Sequence, residues 1–387
     1  MVSLSEFYEL YLNKRTAAGY RTGLLHFFSF IYDCPKQNFA VTAEELEQYD
    51  QLSKRYLTEG RDYATDIMRF AASVADRPPK TSRLYISALN QFYLENDIEI
   101  PQRVRKRLRN RLPAAVAQTL EKELTRETLK EIILHMDTHG RALCLLLVSS
   151  GMRVGEVLKL HLGDIDLSQE PAEILIPGPI TKNRQPRLAF MSREAAAALR
   201  AWLQVRDQYI KASGNRNAGI RKLRAANKTP SDPRLFPFTY TVVRCFWTNA
   251  VQKAGYHSLD RTTGRMQIHP HMLRKFFLSQ WTGDNTKHGE ELAGHSGYLT
   301  DAYRRIPRAE LSKEYLKIEP RLTILAPDDY GELNERDRAA LQRQAEMISR
   351  LSAEKEALEA RLLSIEGDVR AMREFEAEVR RELQAEP

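Results

Sequence analysis

Apolar residues three and four positions apart recur through the first hundred residues. The segments with this spacing are SEFYELYLNKR, AEELEQYDQLSKRYL and KTSRLYISALNQFYLEN. That period is typical of amphipathic helices that bury one face. We therefore predict a helical N-terminal domain over residues 1–100.

The pattern changes after Thr125. RETLKEIILHM and RALCLLLVSS predict helices, the second one buried, and Gly151 interrupts the pattern before VGEVLKL resumes it. AEILIP and PRLAFM predict two strands around the polar turn ITKNRQ, and SREAAAALRAWLQVRDQYI predicts a helix with Ser192 as its N-cap. We predict a second domain over residues 117–325 and a mainly α fold class with a small β-hairpin or sheet.

Beyond residue 332 the apolar residues follow a seven-residue (heptad) repeat. Position a falls on Leu341, Ile348, Lys355, Leu362, Val369, Glu376 and Leu383. Position d falls on Gln344, Leu351, Leu358, Ile365, Met372 and Val379. Ten of these thirteen positions are apolar, which predicts a coiled-coil helix over residues 333–387 and association between copies of the chain.

Charge divides the chain unevenly. Residues 331–387 carry 10 basic and 14 acidic residues, a net of −4, so the formal net charge of +8 leaves +12 on residues 1–330. A basic body of this size suggests a polyanionic partner. No apolar run predicts a membrane span, no signal peptide is evident, and three distant cysteines fit neither a disulfide framework nor a zinc site, so we expect a cytoplasmic protein.

The most basic stretch is PQRVRKRLRNRLP, between the two predicted domains. Six of the nine residues 103–111 are cationic: Arg103, Arg105, Lys106, Arg107, Arg109 and Arg111. Such a run is either a solvated linker or a strap across a phosphate backbone, and the basic body favours the strap. We expect an interdomain linker over residues 101–116 that contacts DNA.

Candidate chemistry begins at the glycine break. Arg153 lies at the mouth of a helix, and Glu156, three residues on, could orient its guanidinium, although such a pair is more often a surface pair. Lys182 lies in the polar turn of the hairpin, where a lysine is usually solvated.

The stretch from residue 268 to 305 is rich in proton donors and cations. His271 and Arg274, three apart, share one side of a helix; His295 follows in GHSG, and Tyr303 comes eight residues later. The histidine spacing fits no standard metal site, so we expect no metal or other cofactor. Two guanidiniums can clamp the non-bridging oxygens of a phosphodiester while a tyrosine attacks phosphorus and a Lys or His protonates the departing oxygen.

Four motifs, in this order, resemble the landmarks of the tyrosine recombinase (phage integrase) family. They are SGMRVGEVLKL…DID, TKNRQPR, HPHMLRKFF and AGHSG…Y, and the resemblance covers roughly residues 1–320. LRKFF and GHSGYLTDAYRR…KEYLK are similar to archaeal integrases. The heptad tail is absent from the family's minimal form.

The resemblance implies a role for each site residue. The residues expected to hold the scissile phosphate are Arg153, Arg274 and His295. Lys182 becomes the general acid, His271 a proton-transfer partner and Glu156 a support for Arg153. The resemblance also implies a helical (SAM-like) core-binding domain and a catalytic domain that close on double-stranded DNA as a two-domain clamp, with a tetramer performing recombination.

The nucleophile departs from the family pattern by one position. Many members place it nine residues after the last histidine, where this chain has Arg304. Tyr303 is one residue early and is our first candidate; Tyr315 is the other, although its neighbours repeat at core spacing.

The function implied is a metal-independent, site-specific DNA recombinase or integrase that acts through a 3′-phosphotyrosyl intermediate. Two alternatives remain open at this point. One is a type IB topoisomerase-like enzyme, and the other is a non-catalytic DNA-binding or architectural protein that assembles through its coiled coil.

Overall fold

A computed structural model describes most of the chain. The described residues are 2–34, 41–114, 116, 118–218, 231–294, 306–326 and the single positions 329, 333, 339, 346, 347, 350, 354, 358, 361 and 365. They divide into two compact units. Unit 1 comprises Met1–Glu121 with Leu259–Gln267, and unit 2 comprises Lys122–Ser258 with Ile268–Pro387.

Unit 1 is helical, as the apolar spacing predicts. Its helices are α1 (Leu4–Glu9), α2 (Lys14–Tyr32), α3 (Ala43–Thr58), α4 (Tyr63–Ser73), α5 (Pro79–Glu95) and α6 (Gln102–Arg111). Asn13 and Asp62 cap α2 and α4 by accepting backbone N–H bonds, and Thr42 forms a reciprocal capping box with Glu45 at the start of α3. The core between these helices is rich in aromatic rings, among them the fully buried Phe27 and Phe92.

The basic stretch is a helix rather than a linker, which corrects the sequence prediction. Val104 and Leu108 of α6 are buried in the core of unit 1, four residues apart on one face. The six cationic side chains of this helix are all exposed. Because the two apolar residues are one helical turn apart, they lie on the same face and can anchor the helix to the core. The composition of the segment by itself would predict a fully solvated chain.

The boundary between the units also differs from the predicted residue 117. Unit 1 extends to Glu121 and takes in Leu259–Gln267 from later in the chain. Asp260 explains this grouping, because its carboxylate accepts the backbone N–H of Leu120 at 3.1 Å and those of Thr262 and Thr263 at 3.1 and 2.7 Å. A contact between residues 140 positions apart cannot be read from a local pattern.

Unit 2 is mainly helical with one small sheet. Its helices are α7 (Arg126–Leu134), α8 (Thr138–Ser150), α9 (Val154–Val157), α10 (Arg193–Ala218), α11 (Tyr240–Lys253), α12 (Met272–Ser279), α13 (Thr286–Ala293) and α14 (Arg308–Leu322). Its strands are β1 (Ile165–Asp166), β2 (Ala172–Ile176) and β3 (Arg187–Met191), paired antiparallel in the order β1-β2-β3.

The predicted hairpin of unit 2 and the predicted N-cap Ser192 are confirmed. Ile174 of β2 lies opposite Ala189 of β3, and both are fully buried. Ser192 accepts the backbone N–H of Ala195 at 3.2 Å at the start of α10. Helix α8 is buried on all sides from Gly140 to Ser150 and packs against α10, α12 and α14, so it forms the central rod of this unit.

The described positions of the heptad tail are helical, and two of them are predicted d positions. Leu358 and Ile365 are 65% and 55% exposed. Exposed apolar side chains one heptad apart on the same face of a helix are compatible with packing against a second copy of the chain. The coiled coil itself stays a prediction. Across the described part of the chain, no helix has the length and apolar character needed to cross a membrane.

Candidate active site

A glycine turn opens the site at the end of α8. Gly151 has a φ of +62°, and a Cβ built on it would lie 2.2 Å from a ring carbon of Phe277 in α12. The left-handed backbone and this close approach both require glycine. The turn redirects the chain so that Arg153 begins α9 beside α12.

Glu156 lies under Arg153 and is almost completely buried. Its Oε2 accepts the backbone N–H of Arg153 at 3.0 Å, and its Oε1 accepts Nη1 of the same residue at 3.0 Å. The predicted pairing of these two residues is therefore present as a contact, with the Arg153 side chain still 30% exposed. The carboxylate fixes both the backbone and the side chain of Arg153.

Arg274 lies deeper, at 3% exposure. Its Nη1 donates to the carbonyls of Gly151 and Ala293 at 2.7 and 2.6 Å, whereas its Nη2 is buried and has no hydrogen-bond partner among the described residues. Burial, followed by the positive charge of Arg153, lowers the pKa of Arg274 to about 10, which leaves it protonated at neutral pH. A buried cation with an unpaired N–H is a strong attractor for an anion.

His271 precedes α12 and lies within reach of the same charges. Partial desolvation of the ring lowers its pKa first, and Arg274, His269, Lys275 and Arg153 lower it further. The ring of His271 stacks on His269 with centroids 6.5 Å apart. Because its pKa lies below the ordinary value, the imidazole is neutral at pH 7 and able to accept a proton.

Arg187 also belongs to this site, and the sequence interpretation gave it no role. Its guanidinium donates to Glu156, with Nη2 2.6 Å from Oε2 and Nη1 3.3 Å from Oε1, and its Nε donates to the Leu292 carbonyl at 3.2 Å. The residue stands last in the motif TKNRQPR, at the first position of an otherwise apolar strand. The sequence did contain one signal for a role of Arg187, because a charged residue at the first position of an apolar strand needs a partner.

The charges at this site do not balance. The guanidiniums of Arg153, Arg187 and Arg274 lie around one described carboxylate, Glu156. Burial by itself raises the pKa of Glu156, but the bonds from Arg187 and Arg153 outweigh it and leave the pKa below its ordinary value. The cluster therefore carries a net positive charge, which suits an anionic group such as a phosphodiester.

The other predicted residues are not brought into this cluster by any described contact. Lys182 lies exposed in the turn between β2 and β3, as a solvated lysine would. His295 and Tyr303 lie outside the described residues. Within the described ranges, no three His, Cys, Asp or Glu side chains gather as metal ligands would.

Tyr315 is a core residue, as the spacing of its neighbours predicts. It is fully buried in a cluster with Leu311, Ile318 and Leu322, and its hydroxyl donates to the Ser149 carbonyl at 2.9 Å. Desolvation raises the pKa of Tyr315 well above its ordinary value. A hydroxyl held in this way is not placed to attack a bound phosphate.

Comparison with known proteins finds similarities over the part of the chain that holds this site. Residues 122–303 match the phage integrase family. The chain is 28% identical over 220 residues to the tyrosine recombinase XerC of Bacillus pumilus, which covers 54% of this chain and 63% of the relative. It is 26% identical over 316 residues to XerC of Lacticaseibacillus casei, covering 80% of this chain and 94% of that one.

Among solved structures, the XerH site-specific recombinase bound to palindromic difH substrate is 17% identical, with a TM-score of 0.46, covering 78% of this chain and 94% of that one. The chain thus spans about three fifths of the first relative, from B. pumilus, and nearly all of the second. Both relatives come from bacteria, so the archaeal character suggested by LRKFF stays a prediction. Residues 122–303 of this chain are thus similar to the phage integrase family, whose relatives found here are named tyrosine recombinases.

Proposed function

We propose that the chain is a site-specific DNA recombinase that cuts and rejoins DNA strands through a 3′-phosphotyrosyl bond. The observation that carries this proposal is the buried Nη2 of Arg274, unpaired among the described residues, in a cluster that also contains Arg153. Two guanidiniums of this kind provide the preorganised donors that stabilise the added negative charge of a phosphoryl-transfer transition state.

The proposed step uses no metal, and its bonds and protons balance. The hydroxyl oxygen of Tyr303 bonds to phosphorus as the bond from phosphorus to the 5′ oxygen breaks. Neutral His271 takes part in accepting the tyrosine proton, Lys182 protonates the leaving 5′ oxygen, and His295 joins the two arginines on the phosphate. The new ester retains the bond energy, so attack by a 5′ hydroxyl rejoins the strand without ATP.

The family match supports Tyr303 as the nucleophile, because it extends from residue 122 to residue 303. The burial of Tyr315 also supports this choice. Double-stranded DNA as partner, a tetramer as the active assembly and the closure of two domains around the duplex are parts of this proposal, in keeping with the recombinase names of the relatives. A DNA partner also fits the expected cytoplasmic location.

A nicked duplex tests the function directly. When a nick lies just 3′ of the cleavage site, the cleaved fragment diffuses away and the covalent complex accumulates. We expect a protein–DNA adduct that survives denaturation and disappears on protease treatment. Band shifts without an adduct would favour the non-catalytic DNA-binding alternative, and relaxation of supercoils without exchange between two duplexes would favour the topoisomerase alternative.

Helix α6 supplies a prediction about DNA affinity. Lys106→Gln with Arg107→Gln should weaken binding to every duplex and flatten the slope of log K against log salt by about 0.9 for each lost phosphate contact. Both residues are exposed on α6, away from buried Val104 and Leu108, so the fold should survive. Filter binding across a salt series measures the slope.

A matched control exists in the same unit. Lys54 and Arg55 of α3 form the same dipeptide on an exposed helix face, but Asp50 and Glu59 already pair with them. Their replacement by glutamine should leave the slope unchanged. An equal effect of the two double substitutions would mean that general charge, and not α6, sets the affinity.

The tail supplies a prediction about assembly. Removal of residues 341–387 keeps Leu333, which is 3% exposed, and should leave adduct formation on one duplex intact. It should lower self-association and recombination between two duplexes, because a basic body repels its own copies and the acidic heptad helix draws them together. Analytical ultracentrifugation and a two-duplex assay measure the two effects. Leu358→Asp with Ile365→Asp should act likewise in the full chain; a tail variant with unaltered association would contradict the coiled coil.

A further inference from the structure

Arg187 makes two kinds of contact with two different elements. Nη1 and Nη2 bind the Glu156 carboxylate of α9 as a fork, and Nε binds the carbonyl of Leu292 in the last turn of α13. Arg187 itself lies on β3, a paired strand whose last three residues are buried. The side chain is 10% exposed, so its position is fixed from all sides by the protein.

Glu156 depends on this fork. The carboxylate is 3% exposed, and its described partners are the guanidinium of Arg187 together with the backbone N–H and Nη1 of Arg153. A buried carboxylate is retained only when cationic or N–H donors satisfy its oxygens. Without Arg187, the acid that orients Arg153 would lose two of its four hydrogen bonds.

Two guanidiniums donate hydrogen bonds to the C-terminal end of α13. Arg187 donates to the carbonyl of Leu292, and Arg274 donates to the carbonyl of Ala293. Both carbonyls are acceptors that a helix leaves without an intrahelical partner at its C-terminus. Cations at this end also match the helix dipole. Gly294 follows with a φ of +70°, and a Cβ there would lie 2.8 to 2.9 Å from the guanidinium of Arg187. A side chain at position 294 would therefore collide with Arg187 as it is placed here.

We propose that Arg187 is a positioning residue, which holds Arg153 through Glu156 and holds the C-terminal end of α13 through Leu292, and so keeps these two parts of the site in one fixed arrangement. This proposal rests on the function proposed above, for which Arg153 contacts the phosphate. Arg187 itself need not touch DNA. Its contribution is geometric, because phosphate clamps lose their effect when a donor moves by about an ångström.

Lysine cannot replace Arg187 in this role. One ammonium group could pair with Glu156, but it lacks the fixed fork that reaches a carboxylate and a carbonyl at the same time. Arg187→Lys is therefore the informative variant, since it keeps the charge and the buried ion pair while it removes the link to Leu292. Arg187→Gln removes both. Arg193→Gln is the control, because Arg193 follows the same strand and its side chain pairs with Glu170 at the surface.

Hydrogen exchange read by mass spectrometry tests the positioning without any need for catalysis. In Arg187→Gln, we expect amides over residues 286–294 and 151–158 to exchange about tenfold faster, the scale set by the loss of one buried hydrogen bond. In Arg187→Lys, only residues 286–294 should exchange faster, and Arg193→Gln should match the parent chain. Unchanged exchange in either segment of Arg187→Gln would overturn the proposal.

Single-turnover cleavage of the nicked duplex tests what the positioning does. Arg187→Gln should slow adduct formation by about tenfold to a hundredfold, with DNA affinity nearly unchanged. Because part of the effect of Arg187 passes through Arg153, the double variant Arg153→Gln with Arg187→Gln should be less slow than the product of the two single effects. Multiplied effects would overturn the proposal. Failure of the parent chain to form adducts would instead remove the proposed function, while the exchange result would still decide whether Arg187 positions both segments.

Discussion

Tyr303→Phe should abolish covalent adduct formation and leave DNA affinity nearly intact. The substitution removes one hydroxyl oxygen, which is the atom that would bond to phosphorus, and no other group in the proposed step can take its place. The loss should be complete within the detection limit of a denaturing gel on the nicked duplex. Filter binding under the same conditions shows whether the variant still recognises DNA.

Tyr315→Phe is the matched control. It removes the same hydroxyl from a fully buried ring, where the described contact is a hydrogen bond to the Ser149 carbonyl. We expect normal adduct formation and a loss of about 1 kcal/mol in unfolding free energy, the usual net value of one such bond. If Tyr303→Phe still formed adducts while Tyr315→Phe did not, the nucleophile would be misassigned and α14 would have to rearrange on DNA.

Arg274→Lys should lower the cleavage rate by about a hundredfold or more, the scale for the loss of one preorganised donor in a transition state. Arg274 uses Nη1 for the carbonyls of Gly151 and Ala293 and leaves Nη2 without a described partner. An ammonium group in its place could satisfy the carbonyls or reach the phosphate, but its single nitrogen does not divide these tasks as the planar fork does. Rapid-quench cleavage at saturating protein separates this effect from binding.

Arg141→Lys controls for the loss of a buried guanidinium in the same unit. Arg141 is 8% exposed and donates to the Met136 carbonyl near the start of α8, so it stands about 15 Å along the helix from Gly151 at 1.5 Å per residue. Its variant should lose stability without a selective loss of cleavage. Near-normal turnover by Arg274→Lys would contradict a phosphate clamp at this position.

Local patterns in the sequence were sufficient for several elements. Helices α1, α3 and α5 of unit 1, the β2–β3 hairpin and the Ser192 cap follow from apolar spacing and cap chemistry, which act over a few residues. Gly151 was recognisable as a break because a left-handed turn between two apolar runs requires glycine. The order of the four motifs was likewise enough to suggest the family that residues 122–303 match.

Tertiary structure decided what the local patterns left open. The basic segment 102–111 is a helix because Val104 and Leu108 pack into the core of unit 1. The six cations of the segment dominate its composition, so composition alone does not indicate that these two apolar residues are buried. For Tyr315, the tertiary structure supplied the bond from its hydroxyl to the Ser149 carbonyl, whereas the choice between Tyr303 and Tyr315 as nucleophile stays a prediction.

The grouping of cations at the site is the clearest case. The sequence by itself determined which residue types were available and placed Glu156 one helical turn from Arg153. Only the tertiary structure brought Arg187 of β3 to Glu156, 31 residues away, and to the carbonyl of Leu292 in α13, 105 residues away. These contacts matter because a buried charge is destabilising unless an opposite charge or a hydrogen bond compensates it. The fold determines which groups lie close enough to do so, whatever their separation along the chain.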